Sequence, residues 1–162
     1  MMLEIFKTIN GEITRLERFE EGVWINLTNP TEDEINSVCE GLNVENEYIR
    51  AALDEEERAR IEYDNGQTLI IVDIPMPDTE SDTVYTTLPL GIILVKDSII
   101  TVCLRESAII REFINKKIKS FYTFYRTRFI LQILYRNASQ YLHYLKIIEK
   151  TSSRIEQDLH KS

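Results

Sequence analysis

Three acidic side chains in one short polar loop are the best candidates for chemistry in this sequence. Asp78, Glu80 and Asp82 alternate along a segment that follows a predicted strand. Mg²⁺ keeps most of its water ligands and needs only one or two protein carboxylates, so carboxylates on a loop are enough to hold it. The loop is therefore a weak candidate for a cation site, with an ordinary solvated polar loop as the alternative.

The other polar clusters do not combine into a catalytic site. Asp54 to Glu57 are four consecutive acidic residues, which point in different directions around a helix end and are typical of a solvated surface. The two histidines, His143 and His160, lie on different faces of one predicted helix. The sequence has no HExxH, P-loop, GxSxG or GxGxxG motif. The chain is therefore predicted not to be an enzyme, and no catalytic or cofactor-binding residue is assigned.

Length and composition predict a soluble, folded, intracellular protein. The chain has 162 residues, of which 43% are apolar and 28% charged, enough for one core with an appendage. Cys39 and Cys103 lie far apart without CxxC spacing, so we expect reduced thiols and no disulfide. No apolar run approaches the roughly eighteen residues of a membrane span, and the N-terminus has no signal-peptide pattern.

Charge divides the chain into two parts. Residues 1–91 contain 21 acidic and 6 basic residues (net −15), whereas residues 92–162 contain 6 acidic and 13 basic residues (net +7). All five glycines and all four prolines lie in the first part. We therefore predict an acidic α/β sheet domain over 1–105 and a basic helical extension over 106–162. The basic residues form no dense patch, so we expect no nucleic acid partner and favour pairing with the acidic part of the same or a neighbouring subunit.

Short strand-like segments, one of them alternating between apolar and polar residues and others continuously apolar, predict a sheet built mostly from hairpins. The predicted strands are 3–9, 13–16, 23–27, 61–63, 69–74, 85–95 and 99–104. Asn10-Gly11 and Asn65-Gly66 are the dipeptides that tight hairpin turns prefer. Pro75 and Pro77 are expected to stop their strand, and Pro89 and Gly91 to mark a bulge or an edge.

One helix is predicted to begin at the cap Thr31, with Ile35, Val38 and Leu42 on its apolar face, and two others at about 45–53 and 107–117. Thr31 and Glu34 form a capping box at the start of the first one, and Gly41 suits its end. The repeated βαβ alternation of a nucleotide-binding fold is missing. The predicted fold class is α/β, with a mixed, largely antiparallel sheet sandwiched by helices and followed by a long C-terminal helix.

The long helix is predicted over about 120–161, a stretch without glycine or proline. Its apolar and small residues recur every seven positions in alternating steps of three and four, which is typical of a helix that packs along another long helix. These seam residues are Phe124, Thr127, Leu131, Leu134, Ala138, Tyr141, Leu145, Ile148, Ser152, Ile155 and Leu159. A second apolar row contains Ile130, Ile133, Tyr144 and Ile147. At about 60 Å the helix would project from the domain or lie along a partner; the alternative is that it lies on its own domain.

Several stretches resemble the cytoplasmic domain of the CorA family of magnesium transporters, and their order and spacing cover essentially the whole chain. One departure is Ala59, where the family usually has proline between the two basic residues. The stretches are Val23-Trp24-Ile25-Asn26-Leu27 with Pro30-Thr31, Ala52-Leu53-Asp54, Arg58-Ala59-Arg60-Ile61-Glu62, Leu69-Ile70-Ile71, and Leu88-Pro89-Leu90-Gly91-Ile92-Ile93 with Thr101-Val102.

The resemblance implies a pentameric transporter with two membrane spans and a Gly-Met-Asn pore signature. This chain contains neither the spans nor the signature, so it is expected to be a cytoplasmic fragment of a longer membrane protein and unable to transport ions alone. Family members sense Mg²⁺ at subunit interfaces, where Asp78 matches the acidic residue that faces a neighbour's stalk helix. Its partner would lie beyond Ser162. The implied role is a regulatory one in which Mg²⁺ bridges acidic subunit faces and holds the closed state.

Two alternatives stay open at the level of the sequence. One is a soluble module that oligomerises through its helix and binds another protein by its acidic face. The other is a zinc-efflux relative of CorA with the same fold. In each case the fragment itself is expected to be a monomer or a dimer, because the segments that build a pentamer are missing.

Overall fold

Seven strands form one mixed sheet in the first two thirds of the chain. The computed structural model describes residues 2–78 and 85–161. Within these ranges the strands are β1 (Met2–Ile9), β2 (Glu12–Leu16), β3 (Trp24–Thr28), β4 (Arg60–Asp64), β5 (Gln67–Pro77), β6 (Tyr85–Val95) and β7 (Ser98–Cys103). Their order is β2-β1-β3-β7-β6-β5-β4, and β3 runs parallel to β7 while the other neighbours are antiparallel. The prediction of a mixed, largely antiparallel sheet is confirmed.

Helices cover both faces of this sheet. They are α1 (Glu32–Leu42), α2 (Asn46–Ala51), α3 (Ala108–Ile114) and α4 (Arg126–Lys161). Helices α1 and α2 share one core with inward side chains such as Ile25 of β3, and α3 and the first turns of α4 share the other with Trp24. Adjacent residues of β3 therefore lie in different cores, as the two-residue period of a strand requires. The predicted sandwich is confirmed.

The ends of α1 agree with the sequence only in part. Thr31 Oγ1 accepts a hydrogen bond from Glu34 N at 3.1 Å, and Thr31 N donates to Glu34 Oε1 at 2.9 Å, so the capping box is confirmed. The helix ends at Leu42, and the left-handed residue at its end is Asn43, with a φ of 55°, rather than Gly41, which was expected to suit the end. Asparagine tolerates this conformation, which leaves Gly41 free to lie against Phe19.

Strand β5 continues through both prolines that were expected to stop it. Pro75 lies opposite Thr87 and Pro77 opposite Tyr85 in a continuous pairing with β6. The neighbouring strand β4 begins at Arg60, which pairs with Ile71, so residues 72–77 lie beyond β4 and have no described strand on that side. Proline is tolerated there because no neighbouring strand on that side would accept a hydrogen bond from a backbone N–H, which proline does not have.

Strand β6 has no bulge in its register with β5, which contradicts one of the two expectations for Pro89 and Gly91. Pro89 lies just beyond Leu90, the last residue that pairs with β7, and is therefore at an edge as the other expectation held. Gly91 has a separate reason to be glycine: a Cβ atom there would lie 2.4 Å from the Cβ of Ala52 at the end of α2. Close approach of the helix, rather than a bulge, requires it.

Helix α4 begins at Arg126, later than the predicted start near residue 120. Lys116 and Ser120 have φ values of 61° and 57°, which interrupt a helical path. The segment between them and α4 is instead fixed to β1, because Thr8 N donates to Thr123 Oγ1 and Thr123 N donates to Thr8 Oγ1, each at 2.9 Å. The division into domains at residues 105 and 106 stays a prediction.

The two apolar rows of α4 lie on neighbouring faces of the helix and differ in burial. Phe129 and Ile133 are fully buried against the sheet, whereas seam residues such as Leu131 (60% exposed) and Leu145 (52% exposed) face away from it. The helix therefore lies on its own domain through Phe129 and the second row, while seam residues such as Leu131 and Leu145 are exposed and the seam residue Tyr141 is half-buried. Its 36 residues span about 54 Å, and all residues from 148 to 161 are exposed, so its end projects beyond the sheet.

Candidate cation site at the end of the β5–β6 hairpin

Asp78, the predicted metal ligand, follows the last residue of β5 and is half-buried. The other two acidic candidates, Glu80 and Asp82, lie outside the described residues. Arg105, just after β7, reaches towards the same corner and donates from its guanidinium to the carbonyl oxygen of Pro77 at 3.4 Å. The structure therefore places Asp78 at the loop end of the β5–β6 hairpin, directly after Pro77.

The same hairpin is the place where α4 is attached to the sheet by polar contacts. The carbonyl oxygen of Asp73 accepts hydrogen bonds from Asn137 Nδ2 at 3.1 Å and from Tyr141 Oη at 3.0 Å. This carbonyl is available because Asp73 lies beyond the end of β4 and because its partner on β6 is Pro89, which has no N–H. The missing N–H of Pro89 thus leaves the carbonyl oxygen of Asp73 available to Asn137 and Tyr141 of α4.

Aromatic rings extend this attachment to the loop end of the hairpin, where Tyr85 pairs with Pro77. Tyr85, the first residue of β6, packs against Tyr141 and Tyr144 of α4, with ring centroids 6.0 Å and 5.0 Å apart. Burial raises the pKa of Tyr141, and the negative charge of Asp73 raises it further, so the phenol keeps its proton and donates at neutral pH. The hairpin that precedes Asp78 is therefore in direct contact with the middle of α4.

Among the described residues, the metal-binding role of Asp78 stays a prediction. Residues 2–78 and 85–161 contain no group of three or more His, Cys, Asp or Glu side chains that could hold a metal ion. Asp78 fits a hydrated Mg²⁺ as a single carboxylate ligand, because that ion needs only one or two of them from protein. A second carboxylate would have to come from another segment or another subunit.

The remaining sequence candidates are not brought together. In the acidic run, Asp54 Oδ1 accepts from Glu56 N at 3.0 Å, and Glu57 forms an ion pair with Arg60. The two histidines, His143 and His160, are both exposed on α4 and about 26 Å apart along its axis. Neither the run nor the histidine pair offers a converging set of ligands.

Sequence reasoning missed the residues that join α4 to the hairpin. Tyr141 was placed on the seam and Tyr144 in the second row, and Asn137 was in neither. One signal was present: Tyr85, Tyr141 and Tyr144 are large side chains with a polar tip, which usually find a hydrogen-bond partner when half-buried. The sequence could not show which residue they contact, because Asp73 and Tyr141 are 68 residues apart in the chain.

A buried ion pair was also missed. Glu4 on β1 is 2% exposed and accepts from Arg111 of α3 at 2.9 Å and from Asn26 of β3 at 3.1 Å. Glu4 occupies the same side of β1 as the core residue Phe6, so strand alternation alone could have placed it inward. Its role is to hold α3 on the sheet.

Comparison with known proteins assigns the family. The family model for the CorA-like Mg²⁺ transporter protein matches residues 19–162. No curated protein matches the chain significantly. No helix in the described ranges is both long and apolar enough to cross a membrane.

Solved structures have the same fold at low sequence identity. The complete CorA magnesium transporter from Methanocaldococcus jannaschii superposes with a TM-score of 0.81 at 19% identity, over 98% of this chain and 51% of that one. Its separate soluble domain gives 0.80 at 20% identity, over 98% and 64%. The ZntB cytoplasmic domain from Vibrio parahaemolyticus gives 0.72 at 16% identity, over 91% and 62%.

The superpositions on the two M. jannaschii structures include almost all of this chain but only part of each relative. The chain spans about half the length of the complete M. jannaschii transporter, and its whole length corresponds to the fold of that protein's soluble domain. The matched family is one of transporters and not of enzymes. By the match over residues 19–162, the chain belongs to the CorA family of Mg²⁺ transporter proteins.

Proposed function

We propose that this chain is the cytoplasmic, Mg²⁺-sensing regulatory domain of a CorA-type divalent cation transporter. The observation that carries the proposal is the family match over residues 19–162, in a chain whose fold is that of a CorA soluble domain. Conduction itself is left to membrane-spanning segments of a longer chain at the cell membrane, whose cytoplasmic face this domain would occupy.

Asp78 is the residue we propose for sensing. It lies half-buried at the mouth of a hairpin whose backbone and first tyrosine contact α4. An ion held between Asp78 and a carboxylate of a neighbouring subunit would fix the position of that hairpin. Through Tyr141, it would also fix α4 relative to the sheet.

The charge distribution supports a bridging role for the cation. The first 91 residues carry a net charge of −15, so identical subunits that meet through this part repel one another. A divalent ion between two carboxylates offsets that repulsion, and its loss would release the subunits. A ligand at 100 times its Kd stabilises the state it prefers by about 2.7 kcal/mol, so weak sites must act in several copies per ring. A homo-oligomer, with a pentamer expected for the longer protein, supplies those copies.

Sedimentation velocity in Mg²⁺ tests the bridging proposal. The chain is compared in MgCl₂ and in NaCl of equal ionic strength, because screening alone also weakens repulsion. We expect association to increase with Mg²⁺ beyond the NaCl control, and this increase to be lost in Asp78→Asn. Equal sedimentation in the two salts would count against a bridging ion in this part of the protein.

A second candidate is a relative with the ZntB type of specificity, which the TM-score of 0.72 to a ZntB cytoplasmic domain favours. The same sedimentation series with Zn²⁺ in place of Mg²⁺ separates the two. An Asp78-dependent response to micromolar Zn²⁺ without one to millimolar Mg²⁺ would favour the zinc-efflux alternative over magnesium sensing.

A further inference from the structure

A cavity lies at the carboxyl end of α1, far from Asp78. Its volume is about 360 Å³, and Phe19, Leu42 and Val95 give it an apolar floor that joins the core beneath α1 and α2. Val95 is the last residue of β6, whereas Asp78 follows the partner of the first residue of that strand. At about 3.3 Å per residue, the two ends of β6 are roughly 33 Å apart. We call this cavity the α1 pocket.

The apolar wall of the α1 pocket is held against the helix. The ring of Phe19 lies against Gly41, where a Cβ atom would approach the ring to 2.5 Å. Gln67 Nε2 donates to the carbonyl oxygen of Asn43 at 2.8 Å, and Gln67 Oε1 accepts from Glu45 N at 2.9 Å, so the chain after α1 is also fixed. The fold therefore forms the pocket before a ligand binds, which reduces the entropy that binding must overcome.

The rim of the α1 pocket is acidic. It contains three exposed carboxylates that form no ion pair with a described residue, namely Glu21, Glu40 and Asp97. A fourth, Glu20, is paired with Lys7 at 3.1 Å, and Lys96, which also lines the pocket, offsets part of the charge. The last turn of α1 has no basic residue, so the negative end of the helix dipole adds to the same field. The pocket therefore attracts a cation.

A buried hydroxyl group faces this pocket without a hydrogen-bond partner. Ser98, the first residue of β7, lines the pocket and is 4% exposed. It pairs with Val95 and precedes Ile100 by two positions, and both of these residues lie in the core beneath α1 and α2, so its side chain points to that side of the sheet. Its carbonyl oxygen accepts from Arg126 at 3.2 Å, but its hydroxyl has no partner among the described residues. A buried hydroxyl without a partner is unfavourable, and a ligand that donates a hydrogen bond to it removes that penalty.

We propose that the α1 pocket binds a small aliphatic amine, in particular a diamine. One ammonium group would donate to the Ser98 hydroxyl, and the methylene chain would cover the apolar floor at Phe19. The second ammonium group would lie beside the carboxylates of Glu40 and Asp97. An organic cation fits this arrangement better than a metal ion, because a hydrated ion makes no use of an apolar floor. The site is separate from Asp78 and does not depend on the function proposed above.

Isothermal titration calorimetry with three ligands tests the proposal. The probe is putrescine, a diamine with a butylene chain. Butane-1,4-diol has the same length without the charge, and Mg²⁺ has the same charge without an apolar body. At physiological ionic strength we expect putrescine to bind at least tenfold more tightly than either control. Equal binding of putrescine and Mg²⁺, or no binding of putrescine at millimolar concentration, would overturn the proposal.

Variants of the protein locate the site. Ser98→Ala should weaken putrescine binding about tenfold, because a hydrogen bond to a charged group is lost, and should not lower the unfolding midpoint, because no bond within the chain is lost. Glu40→Gln with Asp97→Asn should weaken binding at least tenfold. The matched control, Glu47→Gln with Glu55→Gln, removes the same charge from exposed residues outside the pocket and should leave binding unchanged. Equal losses in the two double variants, or unchanged binding in Ser98→Ala, would contradict the site.

Two other outcomes would assign a different occupant or place and also overturn the proposal. If Nα-acetyl-lysine N-methylamide binds more tightly than putrescine, with the same variants losing that binding, the pocket takes a lysine side chain of another protein. If Asp78→Asn abolishes putrescine binding, the amine binds at the β5–β6 hairpin instead. A failure of Mg²⁺ sensing at Asp78 leaves the expected amine binding unchanged, because the two sites lie at opposite ends of β6.

Discussion

At the scale of single residues, the contact between α2 and the sheet depends on the missing side chain of Gly91. A Cβ atom there would lie 2.4 Å from Ala52 Cβ, which is far inside van der Waals contact, and both residues are in the core. We expect Gly91→Ala to lower the free energy of unfolding by about 1–3 kcal/mol, the usual cost of overpacking a core. Urea unfolding measures it.

Gly41→Ala is the matched control. Its Cβ atom would approach the Phe19 ring at 2.5 Å, but that ring is half-buried and can turn away. Alanine also favours the helix by about 1 kcal/mol over glycine, which offsets the displacement of Phe19. A loss of stability at Gly41 equal to that at Gly91 would contradict this account of the two contacts.

The two thiols should differ in reactivity. Burial raises the pKa of Cys103, which is 4% exposed, so little thiolate forms at neutral pH and reagents have little access. Burial also raises the pKa of Cys39, but this residue is half-buried on α1. Titration with an aromatic disulfide reagent at pH 8 should therefore modify Cys39 first and Cys103 only on unfolding. Equal rates in the native protein would show that the β7 core opens.

Tyr48 should make the protein sensitive to alkaline pH. Its hydroxyl is buried with no hydrogen-bond partner among the described residues, and burial, with a smaller effect of Asp64 and Glu62, raises its pKa. A pKa raised on folding gives stability that is complete below the unfolded value of about 10 and is lost as pH rises through the folded value. Tyr48→Phe should reduce this alkaline loss.

At pH 7 the same substitution should change stability by less than about 1 kcal/mol, because it removes an unpaired donor rather than a hydrogen bond. Unfolding in urea between pH 7 and 11 measures both effects. Tyr63→Phe, on an exposed residue of β4, is the control and should match the wild type. An unchanged pH dependence in Tyr48→Phe would show that another group causes the loss.

At the scale of elements, α4 shows what the sequence can and cannot predict. The lack of glycine and proline and the regular apolar spacing were sufficient to predict a long helix. Two apolar rows were present, however, and the face that meets the sheet depends on residues 115–125. Left-handed Lys116 and Ser120 and the Thr8–Thr123 hydrogen bonds fix that segment, and none of these has a periodic signal.

The strands show the same division. Alternation predicted the half-buried β1, and continuous apolar runs between turn signals predicted the buried strands such as β7. Proline was misread as a stop in β5, because only the sheet order shows that residues 72–77 lie at an edge. The candidate site was predictable to the same extent. Asp78 follows a strand in the sequence, but the attachment of its hairpin to α4 comes from contacts between residues distant in sequence, such as Asp73 and Tyr141.

A pair of neighbouring substitutions tests which face of α4 is buried. Phe129 is fully buried and contacts the rings of Trp24, Phe113 and Phe121, whereas Leu131 is 60% exposed. Phe129→Ala should lower the free energy of unfolding by about 3–5 kcal/mol, while Leu131→Ala should lower it by less than about 1 kcal/mol. Chemical denaturation measures both. Comparable losses would mean that the seam also packs within the chain.

At the scale of the whole molecule, charge and apolar surface are unevenly distributed. The acidic part has a net charge of −15, and the basic part presents an uncovered apolar row on α4. Neither feature adds to the stability of the isolated chain, because like charges repel and the row is in water. The acidic charge is explained if, as proposed, cations bridge the acidic faces of neighbouring subunits.

The most direct test of the central proposal is the Mg²⁺ dependence of thermal unfolding, with NaCl of equal ionic strength as the control. A single-carboxylate site with a Kd of about 10 mM gains about 0.6 kcal/mol at about 20 mM Mg²⁺, which raises the Tm of a chain this size by about 1–3 °C. We predict this rise in the wild type and its loss in Asp78→Asn. Coincident curves in the two salts, or an unchanged rise in Asp78→Asn, would contradict a Mg²⁺ sensor centred on Asp78.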